Sequence, residues 1–242
     1  MRSIDDNLQA VRQRMYLAAA AAGRDPRSVA LLAVSKTHPA QRVEQALSAG
    51  QRAFGENYVQ EALEKMAVLE GKSIEWHLIG PLQSNKTRPV AESFDWVQSV
   101  ENSKVARRLS EQRPAGKAPL NVLIQVNVSG EATKSGVAPD NVFALSKEIN
   151  GMPRLRLRGL MAVPEPGADR ARYRELNALY EKLQGELGFD TLSVGMSDDM
   201  ELAIAEGATM VRVGTAIFGA RPVRPEQAAC AWGPRAAVKA RA

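Results

Sequence analysis

The sequence predicts an α/β protein folded as a single (β/α)8 barrel of the TIM type, with one extra N-terminal helix. Eight short apolar runs of strand length alternate with amphipathic stretches of helical periodicity. This alternation favours parallel strands joined by right-handed crossovers. The 242 residues are close to the length of such a barrel, roughly 250. An open doubly wound sheet is the alternative, but it usually has a glycine-rich turn after its first strand, where this chain has Ser35-Lys36-Thr37.

The elements can be assigned in order along the chain. An N-terminal helix follows Ser3, a typical N-cap residue, and has apolar residues at helical spacing, namely Ile4, Leu8, Val11 and Met15. The predicted strands are residues 30–35, 52–55, 74–79, 94–98, 121–128, 156–162, 191–194 and 209–213. The predicted helices are residues 39–49, 57–70, 102–112, 139–150, 168–187 and 198–206, with a shorter, less periodic one within 81–93. Left-handed C-caps are expected at Gly50, Gly71, Gly151, Gly188 and Gly207.

Charge and composition exclude several classes of protein. The net charge is +5, but residues 221–242 carry five basic side chains against the single acid Glu226, so the rest of the chain is nearly neutral. Nucleic-acid binders concentrate basic groups on a folded face, so no nucleic-acid partner is expected. Residues 1–221 are predicted to form the barrel, and residues 222–242 a basic, Pro- and Ala-rich, mobile tail without an assigned role.

Cysteine and histidine content argues against disulfides and metals. Cys230 is the lone cysteine, and the chain has two histidines, so neither a disulfide framework nor a zinc site is expected. The first residues lack the apolar core of a signal peptide, and no apolar run reaches membrane-spanning length. The chain is therefore expected to be cytoplasmic, with no membrane partner.

The first predicted strand ends at a lysine. The apolar run 31–34 leads to Lys36, and Pro39 then opens an amphipathic helix. A buried strand would thus deliver one amine to the mouth of a βα loop, where desolvation can make it a nucleophile toward carbonyls. The alternative is a lysine solvated at the end of a strand.

The loops after the seventh and eighth strands could bind an anion. In (β/α)8 barrels these loops often hold phosphate. Here Ser197 is predicted at a helix start, and Gly214 stands beside the hydroxyl of Thr215. Ser197 could instead be an N-cap and Gly214 a turn residue. With Arg212 on the eighth strand, these groups suit an aldehyde that bears a phosphate.

Pyridoxal 5′-phosphate (PLP) is such a molecule. Lys36 would form the Schiff base with its aldehyde, while Ser197, Gly214 and Thr215 would hold its phosphate. The sequence therefore predicts a PLP-binding barrel.

Seven ordered motifs carry a resemblance to a known family. They are LAVSKT at 32–37, FGENY at 54–58, WHLIGPLQSNK at 76–86, VNVS at 126–129 followed by KSG at 134–136, RGLM at 158–161, SVGMSDDM at 193–200 and RVGTAIFG at 212–219. Over roughly residues 4–221, the chain resembles the pyridoxal-phosphate homeostasis (PLP-binding) protein family, which is related to the amino-terminal barrel of alanine racemases.

The resemblance implies further residues at the cofactor. Asn57 would lie beside it, and Met161 would pack near the ring, although Asn57 could also be a helix N-cap and Met161 plain core filling. Arg212 would face the pyridine nitrogen, where its permanent positive charge disfavours protonation of the ring, or would reach the phosphate instead.

Three other residues have less specific interpretations. His77 alternates with Trp76 on a buried strand, which favours a core residue with one satisfied hydrogen bond. Lys86 and Lys134 lie in loops, where each could be a secondary Schiff-base site or a solvated surface lysine.

Two functions remain open at the level of sequence. The first is a protein of intracellular PLP homeostasis that binds, buffers or delivers the cofactor, as a monomer, to PLP-requiring apo-enzymes. The alternative is a PLP-dependent amino-acid racemase, which needs acid/base groups on both faces of the substrate carbon. In the racemases that the chain resembles, a tyrosine from a second domain supplies one of them. None of the four tyrosines here lies at a predicted strand end and the chain ends soon after the barrel, which favours the non-catalytic carrier.

Overall fold

The strands close into a barrel in sequence order. The computed structural model describes residues 3–131 and 134–220. Each strand pairs in parallel with the next, and β1 pairs with β8 to close the ring. The strands are β1 (Ala30–Val34), β2 (Ala53–Glu56), β3 (Glu75–Leu78), β4 (Trp96–Val100), β5 (Leu120–Val126), β6 (Leu155–Ala162), β7 (Thr191–Ser193) and β8 (Met210–Val213). The predicted (β/α)8 barrel is confirmed.

Helices surround the strands. They are α1 (Ile4–Ala21), α2 (Ala40–Ser48), α3 (Val59–Val68), α4 (Thr87–Ser93), α5 (Ser103–Gln112), α6 (Pro139–Asn150), α7 (Arg170–Leu187), α8 (Met200–Ala205) and α9 (Thr215–Phe218). Two short 3-10 helices, Pro26–Ser28 and Ser84–Lys86, precede β1 and α4. The less periodic segment 81–93 therefore does contain a short helix. The four-residue α9 was not predicted, since it is too short to show a helical period.

The extra N-terminal helix packs against the helices that flank the first and last strands of the barrel. Ser3 and Asp6 cap α1 reciprocally, each side chain accepting the backbone N–H of the other residue. The apolar stripe of α1 is buried, and the helix packs against α8, α9 and α2. Asn7 Nδ2 donates to the Ile217 carbonyl at 2.9 Å. The helix thus covers the junction between the first and last strands.

Glycine follows three of the five helices as predicted. Gly50, Gly188 and Gly207 have positive φ and lie at or directly after a C-cap. Gly71 also has positive φ, but α3 ends earlier, with Leu69 at its C-cap. The prediction is wrong for Gly151, whose φ is −84°. There the chain makes a right-handed turn, closed by the Met152 N–H on the Ile149 carbonyl, and no special backbone conformation is needed.

The strands alternate between two environments. Phe54 and Val97 face the helices and belong to the main apolar core. Leu32 and His77 face the barrel axis, and Leu32 lies opposite Arg212 in the β1/β8 pair. Side chains at the carboxyl ends of the inward-facing rows therefore meet at one mouth of the barrel.

The predicted tail, residues 222–242 with Cys230, lies outside the described residues. Within residues 3–131 and 134–220, no helix combines the length and apolar character needed to cross a bilayer.

Candidate cofactor site

A cavity of about 320 Å³ opens at the carboxyl ends of the strands. Its volume lies within the usual range of small-molecule sites, roughly 300–1,000 Å³. Six of the seven sequence-predicted site residues line it, namely Lys36, Asn57, Ser197, Arg212, Gly214 and Thr215. Elements far apart in sequence thus bring the predicted residues together at the end of the barrel where such folds carry their sites.

Lys36 reaches the cavity from the end of β1. It follows Leu32 and Val34 at a spacing of two, so it continues the inward-facing row, and Val34 lines the cavity beside it. The lysine is half-buried. The next residue, Thr37, has a φ of +67°, which is rare for a β-branched residue. Its N–H donates to Glu61 Oε1 at 2.5 Å.

A group of buried charges lies behind this turn, on the outward side of the strands. We call Glu56, Glu61 and Lys65 the Lys65 cluster. Lys65 Nζ donates to Glu56 Oε1 at 2.7 Å, to Glu61 Oε1 at 2.8 Å and to the Ser35 carbonyl at 2.8 Å. Ser35 Oγ donates to Glu56 Oε1 at 2.6 Å. Burial raises the pKa of Glu56, against the opposing effects of Lys65 and the Ser35 hydroxyl.

Sequence reasoning missed the Lys65 cluster, although one signal was present. Lys65 is spaced three and four residues from Ala62 and Leu69, so it lies on the apolar stripe of α3. A lysine on a buried stripe requires anionic partners.

Arg212 lies at the inner wall of the cavity and is only 4% exposed. Its Nη1 donates to the Ser193 carbonyl at 2.7 Å and to Ser193 Oγ at 2.8 Å, and its Nη2 donates to the Ala162 carbonyl at 2.8 Å. Burial lowers its pKa to about 10, so the side chain remains a cation at neutral pH. A guanidinium has five N–H donors, which leaves capacity for a ligand in the cavity that it lines.

Neutral polar groups extend from Arg212 across the barrel interior. We call Arg212, Ser193, Gln98 and His77 the Arg212 network. Ser193 Oγ donates to Gln98 Oε1 at 2.7 Å, and Gln98 Nε2 lies 2.9 Å from His77 Nδ1. His77 Nε2 lies 2.8 Å from Glu75 Oε1, at the opposite end of the strands. The network therefore links the cavity wall to the far side of the barrel.

The predicted core position of His77 is confirmed, with two hydrogen-bond partners rather than one. The ring is fully buried and stacks on Trp96, with centroids 5.0 Å apart. Burial lowers the pKa of His77 more than Glu75 raises it. A neutral ring with the proton on Nε2 satisfies both contacts, donating to Glu75 and accepting from Gln98.

Ser197 does not begin a helix, which corrects the predicted position and the N-cap alternative. The helix α8 begins at Met200, and Asp199 occupies its N-cap position. Asp199 instead organises the loop, because its carboxylate accepts the Met196 N–H at 2.6 Å and the Tyr173 hydroxyl at 2.5 Å. Ser197 lies half-buried within this loop and lines the cavity.

The loop after β8 closes tightly on β1. A Cβ on Gly214 would lie 3.1 Å from the Val34 backbone oxygen, so a glycine suits this approach. Thr215 follows as the first residue of α9 and is exposed toward the cavity mouth. Gly214 is thus a close-packing residue as well as part of the cavity wall.

Asn57 and Met161 differ in their relation to the cavity. The N-cap position of α3 belongs to Tyr58, so the N-cap interpretation of Asn57 is wrong. Asn57 Oδ1 is buried and has no hydrogen-bond partner among the described residues. Met161 is fully buried with Trp96 and Leu123 and does not line the cavity, which fits core filling.

Several residues near the cavity complete the picture. Neither Lys86 nor Lys134 lines it, and Lys134 forms ion pairs with Glu131 at 3.0 Å and Glu165 at 3.7 Å. His38, which sequence reasoning did not select, does line it and packs on the ring of Phe218 with centroids 5.3 Å apart. Its position two residues after Lys36 is the signal that could have identified it.

The lining fits a phosphate-bearing aldehyde. Two cations, Lys36 and Arg212, face one carboxylate, Asp198, so the lining carries an excess of positive charge. Ser197 and Thr215 add hydroxyl donors, and Asn57 offers an unsatisfied carbonyl oxygen. No group of three or more potential metal ligands occurs within the described ranges.

A (β/α)8 barrel with a lysine at the end of β1 and hydroxyl residues on its last two loops is the arrangement that the sequence predicts for a PLP-binding barrel. Residues 6–222 match the family described as alanine racemase, N-terminal domain. The chain belongs to the pyridoxal phosphate homeostasis protein family, as its sequence predicts. It is 60% identical to the protein of that name from Pseudomonas aeruginosa, over 91% of this chain and 97% of that protein. The Escherichia coli K12 protein is 50% identical, over 91% of this chain and 98% of that protein.

Solved structures agree with this assignment. PipY of Synechococcus elongatus, determined with PLP bound, is 37% identical with a TM-score of 0.78, covering 90% of this chain and 100% of PipY. An alanine racemase from Clostridium difficile is 15% identical with a TM-score of 0.68, covering 92% of this chain and 59% of the racemase. The second likeness concerns the fold alone.

Proposed function

We propose that this chain binds PLP through Lys36 and serves in the homeostasis of this cofactor, without turning over a substrate of its own. The observation that carries this proposal is the convergence of Lys36, Arg212 and the two hydroxyl residues on one cavity of about 320 Å³. The names of the relatives and the PLP-bound PipY structure support the same function.

Each part of the cavity has a separate task. PLP supplies an aldehyde, a pyridine ring and a phosphate. Lys36 Nζ is the covalent attachment point, because it is the lysine in the cavity wall. The hydroxyls of Ser197 and Thr215 donate to the phosphate, and Gly214 lets the backbone approach it. Asn57 Oδ1 accepts a hydrogen bond from the cofactor, whereas Met161, which does not line the cavity, fills the barrel core.

Arg212 serves the ring nitrogen rather than the phosphate. Its guanidinium is fixed by strand groups, the Ser193 and Ala162 carbonyls, in the barrel interior, whereas the hydroxyls lie on loops. A permanent cation donates a hydrogen bond to an unprotonated nitrogen and disfavours its protonation. An unprotonated ring is a weaker electron sink, which suits a protein that holds PLP without carbanion chemistry.

The tyrosines argue against racemase activity. Racemisation needs a second acid/base group opposite the lysine. None of the four tyrosines, all of which lie in the described part of the chain, lines the cavity. Tyr173 donates a hydrogen bond to Asp199, and burial together with this bond raises the pKa of Tyr173.

In the proposed function, residues 1–221 form the binding unit, and the protein acts as a cytoplasmic monomer that passes PLP to apo-enzymes. Delivery to apo-enzymes is supported by the position of the cavity at an open end of the barrel, where bound PLP can be released.

Absorption spectroscopy with chemical trapping tests the proposed attachment. The purified protein mixed with PLP is expected to develop a visible band that borohydride reduction converts into a stable adduct, and peptide mapping should place the adduct on Lys36. Lys36→Ala should lose the band, whereas Lys86→Ala, at an exposed lysine outside the cavity, should retain it.

Two results would contradict the proposal. A wild-type protein that stays colourless with excess PLP would show that the chain does not bind this cofactor. An adduct on Lys86 or Lys134 alone would show that Lys36 is not the attachment point. Incubation with L-alanine followed by chiral analysis addresses turnover, and formation of D-alanine would replace the carrier with an enzyme.

A further inference from the structure

We propose that Glu56, Glu61 and Lys65 are positioning residues for Lys36, because they hold Thr37 in the left-handed conformation that directs the lysine into the cavity. The inference rests on the proposed function of Lys36 as the attachment point. None of the three cluster residues lines the cavity, and each forms a hydrogen bond with Ser35 or Thr37, the residues on either side of Lys36.

The Lys65 cluster forms hydrogen bonds with the chain on both sides of Lys36. Before it, the Ser35 carbonyl accepts from Lys65 and the Ser35 hydroxyl donates to Glu56. After it, the Thr37 N–H donates to Glu61 at 2.5 Å. The His38 N–H then returns to the Ser35 carbonyl at 3.1 Å and closes the turn. Lys36 therefore occupies the centre of a turn whose flanks are both fixed from behind.

Thr37 needs this support. Its φ of +67° is disfavoured for any residue with a Cβ and most of all for a branched one. The other non-glycine residue with positive φ in the described ranges is Arg154, which precedes β6 at the end opposite the cavity. Strain at a functional turn persists only where surrounding contacts impose it. The Glu61 contact supplies such a constraint.

Burying the charged groups of the Lys65 cluster costs free energy that apolar side chains in the same space would not. Lys65 is 6% exposed on its side chain and Glu56 is 0% exposed, so both charges have lost their hydration. Buried ion pairs often stabilise a fold no better than apolar side chains of similar volume, and their best-supported use is to specify one arrangement. The three hydrogens of the Lys65 ammonium each have an acceptor here, and two of those acceptors also bind the turn. The arrangement specified is the path of the chain through Lys36.

Orientation matters because attachment requires the amine to approach the aldehyde carbon. The condensation forms a C=N bond and releases one water molecule, and the rate depends on the fraction of protein with a correctly directed amine. If Thr37 relaxes to an ordinary φ, that fraction falls. Contacts to the phosphate and ring do not depend on Thr37, so non-covalent binding should be preserved.

The decisive variant is Glu61→Ala, measured with two ligands. With PLP, stopped-flow absorption should show covalent attachment slowed at least tenfold. With 4-deoxypyridoxine 5′-phosphate, which has no aldehyde, the dissociation constant should remain within twofold of wild type. Thr37→Gly in the Glu61→Ala background should restore the attachment rate, because glycine adopts positive φ without support.

The matched control is Glu206→Ala. Glu206 is also mostly buried, with its side chain 11% exposed, and pairs with Arg170 and Arg174 away from the cavity. This variant should attach PLP at the wild-type rate. Attachment by Glu61→Ala at the wild-type rate would overturn the inference, as would an equal loss of both ligands or a failure of Thr37→Gly to restore the rate.

A ligand-free measurement separates this inference from the proposed function. In the apo protein, the His38 amide should exchange faster in Glu61→Ala than in wild type, and Thr37→Gly should restore its protection. A wild-type protein that attaches no PLP would refute the proposed function, while unchanged His38 exchange in Glu61→Ala would refute the positioning role.

Discussion

The two sides of the cavity are held by opposite kinds of interaction. Lys36 is fixed by the Lys65 cluster, in which buried ions of both signs lie behind the strands. Arg212 is fixed by the Arg212 network, whose other members are a hydroxyl, an amide and a neutral imidazole inside the barrel. One side uses charge to shape a loop, and the other uses neutral groups to hold a charge.

The difference follows from what each side chain must present to a ligand. The amine of Lys36 has to react, and the charged groups that bind its turn, Glu56, Glu61 and Lys65, lie outside the cavity wall and pair with one another. Arg212 has to remain a cation, and its hydrogen-bond partners are carbonyl and hydroxyl oxygens rather than carboxylates. Its positive charge is therefore left for an electron pair or an anion in the cavity.

The largest expected effect comes from breaking the charged side. Lys65→Met keeps the length of the side chain but leaves Glu56 and Glu61 without their cation. Loss of one partner of a buried pair costs about 3–5 kcal/mol, and urea denaturation should show this decrease in the free energy of unfolding. Arg88→Met, at the exposed pair with Glu92, should cost less than about 1 kcal/mol. Equal effects would mean that the Lys65 cluster contributes no more than a surface pair.

A smaller decrease in the free energy of unfolding is expected from the Arg212 network as the pH falls. The pKa of His77 is lowered by burial from its ordinary value of 6.5, so the unfolded chain takes up the proton first. The contribution of His77 to the free energy of unfolding is fully present above about pH 6.5. It is lost below that pH, by up to about 1.4 kcal/mol per pH unit. Denaturation curves at several pH values between 7 and 5 give the free energy of unfolding of wild type and of His77→Gln. This free energy should fall less steeply with decreasing pH in the variant.

Glu56 supplies the opposite sign for comparison. Its raised pKa means that the folded state keeps a proton more readily than the unfolded state. Its contribution to stability is fully present below the ordinary value of 4.5 and is lost as the pH rises through the raised value. Identical pH slopes in wild type, His77→Gln and Glu56→Gln would contradict the contrast between the two sides.

The smallest effect concerns affinity. Arg212→Gln removes the cation but keeps an amide donor, and PLP should bind about tenfold more weakly, equivalent to about 1.4 kcal/mol. Arg113→Gln is the matched control, because Arg113 is also 4% exposed and bonded to backbone carbonyls, at Ala91, Phe94 and Ala118. Fluorescence titration should find unchanged affinity for the control. Unchanged affinity in Arg212→Gln would remove Arg212 from the site.

The barrel and the inward-facing site residues were predictable because both depend on local periodicity. Lys36 continues the inward row of β1, and Arg212, Gly214 and Thr215 follow from the position of the last strand. Barrel closure then brings the first and last strands together without further information. The short helix α9 and the right-handed backbone conformation of Gly151 could not be predicted, because neither has a periodic signal in the sequence.

The two supporting systems were not predictable in the same way. The Lys65 cluster depends on how α3 packs against the end of β2, and the Arg212 network joins residues of β3, β4, β7 and β8 across the axis. Such contacts depend on side-chain geometry between elements distant in sequence. Lys65 could have been noticed on an apolar stripe, but its three acceptors could not have been named.

The pairing of β1 with β8 also sets when the cavity can first exist during synthesis. Lys36 emerges from the ribosome early, whereas Arg212, Gly214 and Thr215 emerge only after seven strands have been made. Until then a nascent chain carries Lys36 at the end of β1 without the residues of β8 and its loop that line the cavity. The cavity can therefore form only once β8 and the loop after it have been synthesised.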